Sequence, residues 1–150
     1  MEQIVQILAI VVTGPLVGVE FGVAAFLNPI LGRLPDEAYR QARGTGSRIL
    51  GTVMPFWYCT AAVLLIAATL INPGVPLIAA VVLMGAVMVL TLTTLVPINN
   101  RIAAWAGGPA DTAAAPPELA HRWDRLHRVR VALLAVLLVL VVTAAVAGLD

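Results

Sequence analysis

Four long runs of apolar residues account for most of the 150-residue chain, at about residues 3–31, 49–71, 76–96 and 129–148. Each reaches the roughly 20 residues that an α-helix needs to cross the hydrocarbon core of a bilayer. None of them alternates between polar and apolar positions, as a membrane barrel strand does. Because backbone groups in lipid must be satisfied within their own segment, the pattern predicts four membrane-spanning helices.

The polar residues before the last run predict that its helix begins outside the hydrocarbon. Pro116, Pro117 and Glu118 mark a start near residue 117, since proline suits a first turn and a carboxylate complements its positive end. The preceding stretch, residues 107–117, is rich in Ala, Gly and Pro and is typical of a flexible linker. The predicted helices therefore cover about 3–31, 49–71, 76–96 and 117–148 of a single transmembrane domain.

Composition narrows the class of protein further. With 61% hydrophobic and 11% charged residues and a mean hydropathy of +0.98, the chain is neither a water-soluble monomer nor a disordered segment. The net charge of +1 argues against a nucleic-acid partner. The single cysteine, Cys59, excludes an intrachain disulfide and a multi-cysteine metal site.

The distribution of the nine basic residues, all arginine, predicts the topology. They lie in or beside two connections, the one after the first run and the one before the last, which the positive-inside rule places in the cytoplasm. The first run has no basic leader and reads as a span rather than a signal peptide. We therefore predict an up-down four-helix bundle with both termini outside. The Ala, Val and Arg richness favours a bacterial plasma membrane.

A carboxylate lies inside the first predicted span. An ionised Glu20 facing lipid would cost about 3 kcal/mol, so its side chain must face protein, water or a ligand. Asn28 lies on the same helical face, together with Ala24, Leu27 and Leu31. Intramembrane carboxylates are functional candidates by default, and a protonated or hydrogen-bonded structural role is the alternative.

The entry into the fourth span carries a polar stripe. Trp123, His127 and Arg130 follow at i, i+4 and i+7 and share a face with Leu134, whereas His121 points elsewhere. Because an unperturbed histidine titrates near neutrality, His127 is the best acid or base in the chain. An interfacial anchor is the alternative role for this histidine.

The two middle spans add polar and aromatic candidates. Pro97 closes the third predicted helix, and Asn99 and Asn100 then either cap its end or contact a substrate. Trp57 and Tyr58 form either part of the inner aromatic belt or the wall of a pocket. Together these groups predict an apolar cavity open to the inner leaflet, suited to a lipophilic molecule with one polar end.

Three glycines in the first span form a small-residue ridge. Gly14, Gly18 and Gly22 recur every four residues on the face opposite Glu20, so another helix can approach closely there. We expect packing within one subunit, because such ridges are common in membrane helices. Self-association into a homo-oligomer through the same ridge is the alternative.

Short motifs in three spans resemble those of the anthrone oxygenase-like family of small four-helix membrane proteins. The run VPINNR covers residues 96–101, the pattern W-x-x-x-H-x-x-R covers 123–130, and FLNPILGRLP ends the first span. The resemblance covers nearly the whole chain. It implies oxidation of a phenolic, anthrone-type tricycle to the quinone by dioxygen. The matching motif positions are Asn99, Trp123, His127 and Arg130.

A mechanism consistent with the residues and the resemblance begins with proton abstraction by His127 or Glu20. Arg130 and the Asn99 amide then hold the oxyanion, which reacts with oxygen. Such chemistry needs no cofactor, and the alternative is iron or copper held by Glu20 and His127. The catalytic candidates are His127, Glu20, Arg130 and Asn99, and the substrate-binding candidates are Trp123, Asn28, Asn100, Trp57 and Tyr58.

Two functions other than catalysis stay open. The first is a non-enzymatic carrier or small-molecule-binding protein, in which Glu20 and His127 form a proton-coupled or ligand-holding site. The second is a structural membrane subunit, in which the polar side chains serve only the specificity of the bundle.

Overall fold

The computed structural model describes residues 2–108 and 117–148, and in that part of the chain it contains helices and no strand. Four long helices are present: α1 (Glu2–Leu31), α2 (Asp36–Ile71), α3 (Val75–Gly107) and α4 (Pro117–Ala147). Each is long and apolar enough to span a membrane. The predicted all-α class with four spanning helices is confirmed. The orientation in the membrane and the bacterial location stay predictions.

The helices pack in a ring that follows the order of the chain, with α4 closing back against α1. Fully buried apolar side chains such as Leu16, Leu65 and Leu137 fill the centre of one half of the bundle. Leu70 and Val75 are instead 79% and 81% exposed on the outside. An apolar surface of this extent suits contact with lipid rather than water.

Contacts between helix termini define the two ends of the bundle. At one end, the amide of Asn72 donates a hydrogen bond to the carboxylate of Glu2. At the other end, Arg43 of α2 forms an ion pair with Asp124 of α4 at 3.0 Å. We call this second end the basic end. Its arginines are Arg33, Arg40, Arg43, Arg48, Arg101, Arg122 and Arg125.

Two helices are longer than hydropathy predicted. α2 begins at Asp36 rather than at 49, and α3 continues to Gly107 rather than ending at 96. The additional turns are polar and lie toward the basic end, so a search for apolar runs misses them. Asp36 and Glu37 complement the positive end of α2. Asn99 and Asn100 therefore lie inside a helix, and the predicted C-cap role is wrong. Most of the predicted linker, 109–116, lies outside the described residues.

Two π-helical segments, Val23–Leu27 in α1 and Thr91–Leu95 in α3, interrupt the α-helical geometry. Each ends two residues before a proline, Pro29 or Pro97. A proline has no N–H for the carbonyl four residues back, and one wider turn carries the chain past this gap. Pro97 consequently does not close the third span, contrary to the prediction. π segments are frequent at functional sites, and both of these contribute residues to the cavity described below.

The glycine ridge of α1 faces away from the other helices of the chain. A Cβ atom added at Gly14, Gly18 or Gly22 would meet no atom of a neighbouring helix within 4 Å. The expected packing of this ridge within one subunit is therefore wrong. The opposite face, which carries Glu20, is the one that packs against the other helices. A carboxylate in a membrane span needs polar partners, whereas glycine has no side chain that needs them. Self-association through the ridge stays a prediction.

Gly44 allows α2 to approach α3 closely at the basic end. A Cβ atom at this position would lie 2.7 Å from the Cβ of Ala106. We expect Gly44→Ala to lower the free energy of unfolding by about 1–3 kcal/mol, because the two helices must move apart. At Gly46 an added Cβ meets nothing within 4 Å. The matched Gly46→Ala variant should therefore be neutral or stabilising by up to about 1 kcal/mol. Denaturant unfolding of both variants in one detergent measures the difference, and equal stabilities would contradict the close approach.

Candidate functional site

A cavity of about 510 Å³ lies among the four helices, in the half of the bundle nearer the basic end. Its walls are mainly apolar, with contributions such as Val23, Leu50, Met54 and Leu95. The few polar side chains that line it come from all four helices. A volume of this size with converging polar groups is typical of a small-molecule site.

Glu20 is the centre of the polar group. It is 2% exposed, and its Oε1 accepts a hydrogen bond from the Tyr58 hydroxyl at 2.8 Å. Its Oε2 accepts a hydrogen bond from Arg130 Nη2 at 2.5 Å. A buried carboxylate is stable only when it is paired and hydrogen-bonded. Glu20 and Arg130 satisfy this condition as an ion pair between α1 and α4, and Tyr58 adds a bond from α2.

His127 is fully buried, and both of its ring nitrogens have partners. Nε2 lies 3.1 Å from the backbone oxygen of Glu20, which only accepts hydrogen bonds, so Nε2 carries the proton. Nδ1 lies 2.9 Å from Arg130 Nη2, which only donates, so Nδ1 accepts. These partners assign the neutral Nε2–H tautomer. Nδ1 also lies 3.3 Å from Glu20 Oε2. Both atoms are acceptors, so they do not bond to each other, and both accept hydrogen bonds from the Arg130 guanidinium.

Arg130 retains unused donors at the cavity wall. Its side chain is buried, and Nη2 serves both Glu20 and His127. Among the described residues, Nη1 makes only a long bond of 3.4 Å to the hydroxyl of Thr91 in the α3 π segment, and Nε has no hydrogen-bond partner. A buried N–H without a partner is costly. Because Arg130 lines the cavity, an oxygen atom of a ligand there could compete with Thr91 for the weakly held Nη1.

A stack of side chains connects this group to the basic end. The rings of Trp123 and His127 lie 4.6 Å apart at an angle of 17°. The guanidinium of Arg43 lies 5.6 Å from the centre of the Trp123 ring and is paired with Asp124. Trp123 therefore holds the His127 ring from one side. Arg130 holds the edge of the ring through Nδ1.

The structure brings most of the predicted site residues to one cavity. Asn99 is half-buried in its wall, and its amide donates to the backbone oxygen of Ser47 at 3.4 Å. It makes no hydrogen bond with Arg130 in the described structure. The predicted residues that line the cavity are Glu20, Asn28, Tyr58, Asn99, Trp123, His127 and Arg130.

Two predicted substrate contacts lie outside the described cavity lining. Trp57 donates from Nε1 to the backbone oxygen of Val12 at 2.9 Å and fills the seam between α1 and α2. Asn100 is exposed. Each is the sequence neighbour of a residue that does line the cavity, Tyr58 or Asn99. Adjacent helical residues point about 100° apart, so only one of each pair can face inward.

Among the lining residues that sequence reasoning missed are Arg43 and Thr91, both of which contact the polar group or its neighbours. Arg43 was interpreted only as a cytoplasmic charge because residues 36–48 were not predicted to be helical. Its spacing of three from Arg40 would have placed both on one helical face, where both are buried. Thr91 begins the π segment of α3, for which the only sequence signal is the later Pro97.

Glu20 and His127 do not form a metal site. The described residues contain no cluster of three or more His, Cys, Asp or Glu side chains that could hold an ion. The guanidinium of Arg130 also lies between the two candidate ligands, at 2.5 Å from Glu20 Oε2 and 2.9 Å from His127 Nδ1. A second cation there would be repelled. The residues therefore do not fit the iron or copper alternative.

Comparison with known proteins gives a single kind of match. The model of the anthrone oxygenase family matches residues 39–140, which extend from the start of α2 into the apolar part of α4. The matched region contains Tyr58, Asn99, Trp123, His127 and Arg130, whereas Glu20 precedes it. No curated protein and no solved structure matches the chain. Because the family match covers more than half of the chain, the protein belongs to the anthrone oxygenase family.

Proposed function

We propose that this protein is a membrane-embedded oxidoreductase that oxidises a lipophilic phenolic or polycyclic aromatic substrate with dioxygen. The observation that carries the proposal is the buried pair of Glu20 and Arg130 on the wall of an apolar cavity, in which Arg130 Nη1 makes, within the described part of the chain, only a long bond of 3.4 Å to Thr91. A base next to a preformed oxyanion donor is the arrangement that deprotonation of a weak carbon acid requires. Membership of the family supports this choice of reaction.

The proposed reaction converts a methylene group between two aromatic rings into a carbonyl group. Loss of one proton from the methylene carbon gives an anion whose charge lies largely on the phenolic or enolic oxygen. Electron transfer to dioxygen and formation of a C–O bond give a hydroperoxide, which loses water to leave the quinone. Atoms balance as R₂CH₂ + O₂ → R₂C=O + H₂O, so no external reductant is consumed.

Glu20 is the proposed base, and His127 is a positioning residue. The two carboxylate oxygens of Glu20 offer about four acceptor sites, of which Tyr58 and Arg130 occupy two. Both nitrogens of His127 are already engaged, with Nδ1 holding Arg130 in place. Arg130 Nη1 supplies the hydrogen bond to the oxyanion, and Asn99 has one amide N–H left to assist.

The apolar walls serve the same chemistry. Exclusion of water strengthens each electrostatic contact within the cavity and protects the anion from reprotonation. The volume of about 510 Å³ between walls built from residues such as Leu50, Met54 and Leu95 is in the range of small-molecule pockets, which suits a planar tricycle. The function therefore uses both the polar group and the apolar volume around it.

Oxygen consumption provides the direct test. We expect the purified protein in lipid nanodiscs to convert 1,8-dihydroxyanthrone to its quinone at least about tenfold faster than empty nanodiscs, with one O₂ consumed per quinone. An oxygen electrode and the quinone absorbance report the two quantities in parallel. Binding of the anthrone with no rate above that of empty nanodiscs would contradict the oxidase and favour the carrier.

A further inference from the structure

The cavity is closed toward the aqueous phase at the basic end. Arg43 of α2 reaches across to Asp124 of α4 at 3.0 Å and also contacts the hydroxyl of Tyr39 at 3.2 Å. Its guanidinium lies over the rings of Tyr39 and Trp123. The Arg43 side chain is only 8% exposed, because these groups surround it. A solute from the aqueous phase at this end would have to break this partly buried ion pair to pass.

The seam between α2 and α3 is also closed near this end. Gly44 lies against Ala106 with no room for a Cβ atom, and the Asn99 amide bonds to the backbone of Ser47. One turn further along α2, a Cβ added at Gly51 would lie 3.8 Å from Asn99. The two helices therefore stay in contact from Gly44 to Gly51.

The seam between α1 and α2 is less tightly held at the same depth. Tyr58 and Trp57 bond to α1 deeper in the bundle, at Glu20 and Val12. Between residues 21–31 and 42–55, no hydrogen bond is present among the described residues. Gly46 lines the cavity here, and a Cβ added to it would meet no atom within 4 Å.

Apolar side chains on both sides of this seam reach the outer surface. Ile49 of α2 and Leu27 of α1 line the cavity and are also 58% and 39% exposed. Ile49 is the first residue of the apolar run of α2, and Leu27 belongs to the π segment of α1. The opening therefore lies where the predicted inner hydrocarbon boundary meets the lipid headgroups, a depth at which amphipathic aromatic molecules concentrate.

We propose that uncharged, planar aromatic molecules dissolved in the bilayer enter the cavity through the seam between α1 and α2 at Gly46. Charged, water-soluble analogues are excluded, because the Arg43–Asp124 pair closes the aqueous end and lipid surrounds the seam. The ligand class rests on the proposed function, whereas the route rests on the geometry of Gly44, Gly46 and Arg43 alone.

The test follows binding rather than turnover. Trp123 lines the cavity, so a Trp57→Phe/Trp105→Phe protein leaves it as the only tryptophan and a fluorescent reporter. The probes are 9,10-anthraquinone, which is already oxidised, and anthraquinone-2-sulfonate, which carries a permanent charge on the same rings. We expect the neutral probe to quench Trp123 in nanodiscs and the sulfonate at equal concentration to leave it unchanged.

Two matched substitutions locate the entry. Gly46→Phe should slow quenching by the neutral probe at least about tenfold, since a side chain would then fill the seam. Gly85→Phe on α3 is the control, because Gly85 lies outside the described cavity lining and an added Cβ also meets nothing within 4 Å. It should leave the quenching rate unchanged. Circular dichroism and size exclusion establish that both variants are folded.

The outcomes separate the route from the reaction. Equal quenching rates in Gly46→Phe and the parent, or efficient quenching by the sulfonate, would overturn the route whatever the turnover assay gives. Selective slowing by Gly46→Phe supports the route even if 1,8-dihydroxyanthrone is not oxidised, and only the proposed function then fails. If the neutral probe does not quench Trp123 in the parent, both proposals are overturned.

Discussion

Replacing Arg130 with methionine is expected to lower the free energy of unfolding by about 3–5 kcal/mol, because the Glu20 carboxylate would remain buried without its charged partner. Glu20 is 2% exposed, so its carboxylate has little contact with water that could replace the guanidinium. Methionine keeps much of the apolar length of the arginine side chain, which limits the loss of packing. The variant thus measures mainly the unpaired charge.

A second substitution distinguishes the ion pair from simple packing. The Glu20→Gln/Arg130→Met double variant should recover most of the stability, because it leaves no buried charge at this position. Denaturant unfolding of the parent, both single variants and the double variant in one detergent gives the coupling energy. If Arg130→Met were as stable as the parent, the buried ion pair would not contribute to the fold as described.

Glu20→Gln is expected to reduce the turnover of 1,8-dihydroxyanthrone by about 10²–10⁴-fold, the usual contribution of a general base. The amide keeps the shape of the carboxylate and accepts the bond from Tyr58, but it cannot take a proton from the substrate. We expect KM to change by less than about threefold, since binding depends on the apolar walls. Rates are measured in nanodiscs per folded protein, because the substitution also leaves Arg130 without its partner.

Histidine variants provide the control for this assignment. The side-chain oxygen of asparagine can occupy the place of the imidazole Nδ1 and accept the bond from Arg130. His127→Asn should therefore retain turnover within about tenfold, whereas His127→Leu, which has no acceptor, should lose about 10²-fold or more. Equal losses in both variants, with Glu20→Gln active, would make His127 the base and contradict our assignment.

The double variant adds an independent outcome. Glu20→Gln/Arg130→Met is expected to be stable and inactive, since it lacks both the base and the oxyanion donor. A purely structural role for the pair predicts the reverse, with stability and turnover recovered together. If the parent protein is active, oxygen consumption by this variant therefore decides between a catalytic and a purely structural role for the pair.

The burial of Glu20 follows from the sequence, because a carboxylate in a membrane span is stable only inside the protein. The lipid cannot solvate its charge, so it must lie inside and find a partner. The spacing of Trp123, His127 and Arg130 likewise predicts one shared face, and all three are buried. The sequence cannot tell which partner Glu20 meets, since Arg130 lies 110 residues away.

Hydropathy does not predict which side of the two middle helices faces the cavity. Trp57 and Tyr58 are adjacent and both aromatic, so the sequence does not show which of them faces the cavity. Their contacts with α1 show that Tyr58 is the one that faces Glu20. Asn99 and Asn100 present the same ambiguity. The π segment at Thr91–Leu95 changes the direction in which the later residues of α3 point. A prediction that uses a regular period of 3.6 residues does not account for this rotation.

From its sequence alone, this chain is a four-span membrane protein with a buried carboxylate, a polar stripe on its last helix and short motifs of one family. These features follow from local rules, namely the length of an apolar run, the cost of a charge in lipid and the spacing of side chains on a helix. Only the tertiary structure decided that the glycine ridge faces outward, that His127 holds Arg130 and that Gly46 borders an open seam. Those outcomes depend on the rotation of each helix about its axis and on the angles at which the helices cross. Many such arrangements are compatible with the same local pattern, and the packing of side chains between helices determines which one forms.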